Sequence, residues 1–325
     1  MTILVLLFII AALTVGAKAG RNRNSYTALH TAVAHGDITQ VNTLVDPSKG
    51  GSSADIDKTT TNGETALIMA IERKFSEIAQ ILLKNGADPN QGRSPYGEHT
   101  PLTLAIQNGQ KDVVEALLAK NADPNLRIHK GGKAKGGRTP LGTAIIKKAE
   151  DIVNILLDNP NQKADPNLHI SRLKKTPIVT ATAEAVCLRP ENPEATKRII
   201  KKLRESGAEI NPKEEQTALG LAINRRSVEM VKFLLTIGAD ANHPIDHNGT
   251  TPLNAAIEGG TTKEIIKELV NKGAKVNGLD HKGETPLGLI KRMLQTKGSD
   301  DSHTKQYFEE IEAFLKEKGA NVIKP

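Results

Sequence analysis

Thr65-Ala66-Leu67-Ile68-Met69-Ala70-Ile71 opens a unit that closes on Gly86-Ala87-Asp88-Pro89-Asn90, and the next unit opens at Thr100-Pro101-Leu102. A threonine ahead of alanine or proline reads as a helix start. Its side-chain oxygen satisfies one of the first N–H groups, and proline is tolerated at the first helical position because no N–H is needed there. Leu102 and Ala105 give this first helix a close-packing face. A second helix follows, with Ile78, Ile81 and Leu82 in one unit and Val113, Val114, Leu117 and Leu118 in the next at helical spacing. Gly86 stands where a left-handed residue ends such a helix.

The same opening recurs along the chain. It is found at Thr27-Ala28-Leu29, Thr139-Pro140-Leu141, Thr176-Pro177-Ile178, Thr217-Ala218-Leu219, Thr251-Pro252-Leu253 and Thr285-Pro286-Leu287. Successive threonines are 38, 35, 39, 37, 41, 34 and 34 residues apart. The closing phrase returns as Gly238-Ala239-Asp240-Ala241-Asn242, and Gly207, Gly273 and Gly319 fall at the corresponding helix ends. Gly63, Gly137, Gly249 and Gly283 stand two residues before their threonines, where a tight turn joins units. A recurrence every 34 to 41 residues marks a stacked array.

These motifs resemble the ankyrin repeat family over essentially all of Asn24 to Pro325. The resemblance implies an all-α solenoid of eight helix-turn-helix repeats with long finger loops, starting near residues 25, 63, 97, 137, 174, 215, 249 and 283. Two departures stand out. The histidine that the family places after Thr-Pro-Leu is present at His30 and replaced by Ile68, Thr103, Gly142, Val179, Gly220, Asn254 and Gly288. Glycine inside a helix costs about 0.5–1 kcal/mol against alanine, so several inner helices are expected to be individually weak. The units also exceed the family's usual length, so loops are expected to be extended.

Composition fits a packed array. Of 325 residues, 38% are hydrophobic, 25% charged and 2% aromatic, with no tryptophan and one cysteine, Cys187. That excludes an internal disulfide and a Cys-x-x-Cys zinc cluster. Ile3 to Val15 is nearly unbroken apolar sequence, followed by Ala17 and Ala19 at signal-peptidase spacing, so residues 1–19 read as a signal peptide cut before Gly20. Removing Lys18 takes the 44 basic residues to 43 against 37 acidic, a net charge of +6. The expected location is exported, periplasmic or secreted. The alternative is a membrane anchor through residues 2–17, because Lys18, Arg21 and Arg23 follow the apolar run and no cation precedes it.

Insertions fall at Asp46–Asn62, around Cys187, Arg189, Pro190 and Pro193, at Thr296–Lys305, and at Leu126–Ala149. The last holds Arg127, Lys130, Lys133, Lys135, Arg138, Lys147 and Lys148 with no acidic residue. It reads as a basic finger for an acidic partner, against the plainer reading of a solvated loop. Eight and nine residues past their threonines stand Arg73-Lys74, Lys147-Lys148 and Arg225-Arg226, in repeats two, four and six. In an ankyrin stack, by resemblance, they would line the concave groove. Cations in a helix's last turn also complement its dipole, which accounts for the placement with no partner at all. Tyr96, in the turn before repeat three, completes the candidate binding set.

Other constellations are weaker. Gly132 to Thr139 has phosphate-loop spacing but carries Arg138 where lysine is required and follows a polar run instead of a strand. His243, Asp246 and His247 sit in a turn without a fourth ligand. Asn248-Gly249-Thr250 is a glycosylation acceptor in form and equally a plain turn. The sequence thus predicts a monomeric, non-catalytic scaffold with no cofactor and no metal, binding another protein with an acidic surface; nucleic acid fits poorly because exposed aromatics are few. The alternatives are a passive envelope spacer and a host-directed effector with activity hidden in an insertion.

Overall fold

The computed structural model describes residues 26–49, 51, 55–92, 99–127, 138–169, 175–187, 193–212, 216–246, 248–280, 282–297 and 302–321. The expected signal segment, Tyr96, Lys130, Lys133 and Lys135 lie outside them. Eight helix pairs succeed one another along the chain. They are α1 (Ala28–His35) and α2 (Ile38–Val45), α3 (Ala66–Glu72) and α4 (Ser76–Lys84), α5 (Pro101–Asn108) and α6 (Lys111–Ala119), and α7 (Pro140–Ile146) and α8 (Glu150–Asp158). They continue with α9 (Pro177–Cys187) and α10 (Pro193–Glu205), α11 (Ala218–Asn224) and α12 (Val228–Thr236), α13 (Pro252–Glu258) and α14 (Lys263–Asn271), and α15 (Pro286–Lys297) and α16 (Ser302–Glu317). A short 3-10 turn, Pro47–Lys49, follows α2.

The threonine phrase acts as the sequence predicts. Thr27, Thr65, Thr100, Thr139, Thr217 and Thr251 are extended N-cap residues whose hydroxyls accept from the backbone N–H three residues on. Thr176 and Thr285 make the same bond to Val179 and Gly288, at 3.4 and 3.1 Å. Five residues past the threonine stand Ala32, Ala70, Ala105, Ala144, Ala181, Ala222 and Ala256, all buried. With no side chain beyond Cβ, they let each first helix pack closely on the next, and the odd-numbered helices form one continuous row from α1 to α15. Each packs on its own even-numbered partner, and the even helices form a second row, close from α2 to α10 and again between α12 and α14. Leu, Ile and Val from both rows make one contiguous core.

Two expectations about insertions change. The last repeat's polar stretch is largely helical, because α15 continues to Lys297 and α16 begins at Ser302, with Phe308, Ile311 and Leu315 buried on its inner face. In repeat five, α9 runs on to Cys187, about a turn longer than the first helices of neighbouring repeats, so that part of the insertion lengthens a helix.

The Gly-Ala-Asp-x-Asn phrase has a purpose beyond ending a helix. Asn90 donates through Nδ2 to the Asn121 carbonyl and accepts the Asp123 N–H on Oδ1 at 2.7 Å. Asn125, Asn167, Asn211, Asn242 and Asn277 repeat this two-way clasp on the next unit. One amide side chain in each of six successive units thus satisfies two otherwise unpaired backbone groups across a repeat boundary.

Glycines at the joins behave as expected: Gly86, Gly207, Gly238, Gly273 and Gly319 all hold positive φ. Gly220 has a different reason. A Cβ built there would stand 2.6 Å from the Ile245 Cβ, so this inner-helix glycine marks the close approach of the next finger.

Candidate protein-interaction surface

The connection from first to second helix is a left-handed cap. In repeats one, two, three, four, six and seven, the residue nine past the threonine has positive φ: Gly36 (68°), Lys74 (60°), Gly109 (72°), Lys148 (55°), Arg226 (56°) and Gly260 (55°). The following N–H then reaches back to the alanine carbonyl, as in Phe75 to Ala70 (2.9 Å), Ala149 to Ala144 (3.0 Å) and Ser227 to Ala222 (3.0 Å). This satisfies carbonyls the helix end leaves open.

Three repeats use glycine at this point and three use a cation. Among the described residues, four non-glycines hold positive φ, and Lys74, Lys148 and Arg226 are three of them; Asn121 is the fourth. A side chain in this conformation costs about 1–2 kcal/mol, which glycine avoids. A cation near a helix C-terminus recovers about 0.3–1 kcal/mol. The dipole therefore accounts well for Arg73, Lys147 and Arg225, which occupy the right-handed or nearby C-cap position. It does not account for the residue after each of them.

All six side chains are exposed. Among the described residues, Arg73, Lys74, Lys147, Lys148 and Arg225 make no ion pair or side-chain hydrogen bond. Arg226 differs: its Nη2 donates to the Gly259 carbonyl, 2.8 Å away in the next repeat. From the other side, the Tyr307 hydroxyl donates to Thr261 O at 2.5 Å, and burial pushes that phenol up to about 12 against the opposing charge of Arg226. The Gly259-Gly260-Thr261 connection is thus held by both neighbours. Sequence reasoning missed both bonds; the glycine pair facing Arg226 was the available signal.

The edge is not uniformly basic. Repeat three presents Asn108, whose Nδ2 donates to the Ile71 carbonyl at 2.9 Å. Repeat five presents Glu184 within α9, and repeat seven presents Glu258. Glu72, beside Arg73, is pushed above the usual carboxylate range by burial, with the arginine's charge working against the shift.

The second row of helices shows the opposite electrostatic pattern. Arg198 donates to Glu150 through Nε (2.7 Å) and Nη2 (2.8 Å), and Lys202 reaches Asp158 at 2.8 Å. Lys197 bridges Glu194 and Glu229, Lys263 pairs with Glu310, and Lys111 lies 3.8 Å from Asp151. Most of these pairs tie adjacent outer helices together.

Of the expected basic finger, Arg127 and Arg138 are described, and Pro140–Ile146 is helix α7 capped by Thr139 and Lys147, so Lys147 and Lys148 belong to a helix end and not to the loop. Arg138 is exposed just before the Thr139 cap. Arg127 is half-buried, burial lowers its pKa, and it has no hydrogen-bond or ion-pair partner among the described residues. His243 turns its Nε2 to the Pro212 carbonyl at 3.0 Å, and Asp246 caps its own turn by accepting from the Asn248 and Thr250 N–H groups. Among the described residues no group of His, Cys, Asp and Glu is placed to hold a metal ion, and no helix is long and apolar enough to cross a membrane.

Comparison with known proteins agrees with this architecture. The family described as ankyrin repeats (3 copies) matches residues 5–93, 29–128, 93–170 and 183–280. Rabankyrin-5 of Mus musculus is 30% identical over 228 residues, 68% of this chain and 18% of that protein. Ankyrin repeat and SOCS box protein 6 of Mus musculus is 35% identical over 88 residues, 26% of this chain and 21% of that protein. E3 ubiquitin-protein ligase KEG of Arabidopsis thaliana is 24% identical over 303 residues, 81% of this chain and 18% of that protein. The chain therefore spans about a fifth of the length of these relatives. The crystal structure of EF0377, an ankyrin repeat protein, superposes with a TM-score of 0.53 at 26% identity, covering 64% of this chain and 98% of that one. Eight capped helix pairs, the asparagine clasps and these matches together place the chain in the ankyrin repeat family.

Proposed function

We propose that the protein is a non-catalytic scaffold that binds an acidic partner protein along the C-terminal edge of its first-helix row, flanked by the finger that carries Arg127 and Arg138. Ankyrin repeats are protein-interaction modules, and that much follows from the family. The acidic partner is our reading, and one contrast carries it. Acids of the second helix row pair with Lys197, Arg198 and Lys202, and Arg292 of the first row pairs with Glu284, while Arg73, Lys74, Lys147, Lys148 and Arg225 stand exposed on the first row without ion pairs. Unpaired cations on a rigid row give an acidic surface both attraction and register. We also take residues 1–19 as an export signal, which places that partner outside the cytoplasm; an intact mass beginning at Met1 in a membrane fraction would overturn this part.

The test uses the full chain and a variant with Arg73, Lys74, Lys147 and Lys148 changed to glutamate. A protein captured from the native cell fraction by the parent chain should be lost with the variant and progressively released by salt. Capture that is equal for both chains and indifferent to salt would sink the reading.

A further inference from the structure

The left-handed cations carry more than a general attraction to acids. Their positions are conformationally costly, they recur at one structural point, and they skip a repeat each time: Lys74 in repeat two, Lys148 in four and Arg226 in six. Repeats one, three and seven place Gly36, Gly109 and Gly260 at that point, where the backbone runs without strain. The intervening repeats offer Asn108 and Glu184 beside it, and repeat seven offers Glu258. Strain held at one register and absent at its equivalents points to function at the strained positions.

We propose that this edge is a stepped rail for an extended acidic peptide segment of a partner protein, engaged at every second repeat. This rests on the reading of an acidic protein partner and adds the spacing and the form of what is bound. Neighbouring first helices pack about 8–10 Å apart, so alternate repeats stand about 16–20 Å apart. An extended chain advances about 3.3 Å per residue, so acidic side chains recurring about every six residues meet successive steps. Each step offers two adjacent cations, Arg73-Lys74, Lys147-Lys148 and Arg225-Arg226, to the acidic side chain that faces it. A nucleic-acid backbone fits worse. Its phosphates recur at every nucleotide, so they would pass Glu184 between the steps and Glu258 beyond them, with few exposed rings on which bases could stack.

The experiment measures binding of the full chain to three probes. One is a peptide with three Glu-Glu pairs separated by four neutral residues, the second has the same pairs separated by one, and the third is a uridine oligonucleotide. The parent chain should bind the widely spaced peptide about tenfold more tightly than the dense one. The double variant K74G/K148G should lose about tenfold in that affinity while its unfolding midpoint stays level or rises, because glycine relieves the left-handed backbone. K74Q/K148Q, which removes charge and keeps a side chain, should lose the same affinity. If both peptides bind equally and both are weakened by the variants, the acidic-partner reading stands and the alternate-repeat rail falls. If neither variant changes peptide binding, or no peptide binds, both fall. Tighter, variant-sensitive binding of the oligonucleotide would make the edge a nucleic-acid surface. A lowered midpoint in K74G/K148G would make the lysines structural and overturn the rail.

Discussion

The guanidinium of Arg226 donates through Nη2 to the carbonyl oxygen of Gly259, 2.8 Å away across the boundary between the sixth and seventh repeats. Its equivalents Lys74 and Lys148 make no such bond among the described residues. The three cations therefore differ in what they do for the fold. Arg226→Ala should cost about 0.5–1.5 kcal/mol, the range for one net hydrogen bond. Lys148→Ala removes no contact, so it should shift stability by less than about 0.5 kcal/mol. Urea unfolding of the two variants checks the difference; equal losses would mean that the Arg226 bond contributes nothing.

Gly220 sits three residues past its threonine, inside α11, where alanine is the better helix former. The packing decides against it. An added Cβ would meet the Ile245 Cβ at 2.6 Å and the Ile245 carbonyl oxygen at 3.2 Å, while Ile245 accepts the Thr217 N–H at 3.2 Å. Gly220→Ala should therefore destabilise by about 1–3 kcal/mol, as overpacking does. At the matching Gly288 the nearest atom is the Thr285 Oγ1 at 3.3 Å, so Gly288→Ala should be much milder. Thermal unfolding of both variants tests the contrast, and a stabilised Gly220→Ala would show that helix propensity outweighs the finger contact.

Gly220 also shows where sequence reading stops. The threonine caps, the buried alanines and the helix-ending glycines were legible because each acts within a few residues of itself. Their repetition then settled the fold. What Gly220 faces depends on a finger more than twenty residues downstream, and a lone sequence reads that glycine only as a weak spot. The same holds for the edge. Arg73, Lys74, Lys147, Lys148, Arg225 and Arg226 could be aligned by counting from the threonine. That the second of each pair holds positive φ, and that Arg226 alone is tied to the next repeat, required backbone and neighbour. Asn90 and its equivalents were visible as a recurring letter, but a clasp needs both units in view.

His30 should make the first repeat sensitive to pH. Its Nδ1 accepts the Thr27 N–H at 3.3 Å and lies 2.8 Å from the Thr27 hydroxyl, and its Nε2 lies 3.2 Å from the Glu64 carbonyl in the next repeat. Both contacts are met by the neutral ring with its proton on Nε2. Burial lowers the pKa below the ordinary 6.5, opposed by a backbone hydrogen bond at Lys58. A depressed folded value means that the unfolded chain takes up the proton first. The stabilisation is therefore complete above about pH 6.5 and is lost as pH falls through the lower folded value. Amide exchange in α1, corrected for intrinsic rates, should accelerate on going from pH 7 to 5 more than in α5. His30→Asn should flatten that response, since Asn254 already occupies this position in repeat seven and donates to the Glu284 carbonyl at 3.3 Å. A response in α1 that persists in His30→Asn would assign the sensitivity to another group.

Asn167 offers the sharpest test of how the array holds together. Its Nδ2 donates to the Gly207 carbonyl at 3.0 Å and its Oδ1 accepts the Glu209 N–H at 2.7 Å, joining the fourth repeat to the fifth. No apolar contact of comparable directness replaces it, because the side chain is exposed. Asn167→Ala should cost about 1–3 kcal/mol, two net hydrogen bonds of about 0.5–1.5 kcal/mol each. Asn167→Asp keeps the acceptor and removes the donor, so it should lose roughly half as much. In a stack whose stability is a sum of unit and interface terms, weakening one interface also loosens the coupling between the two halves. Urea unfolding of Asn167→Ala should therefore broaden or divide into two transitions, with amides of α9 and beyond separating from those of α1 to α8. A single, equally steep transition at a lower midpoint would mean that the core row from α1 to α15 carries the coupling and the asparagine clasps only trim it.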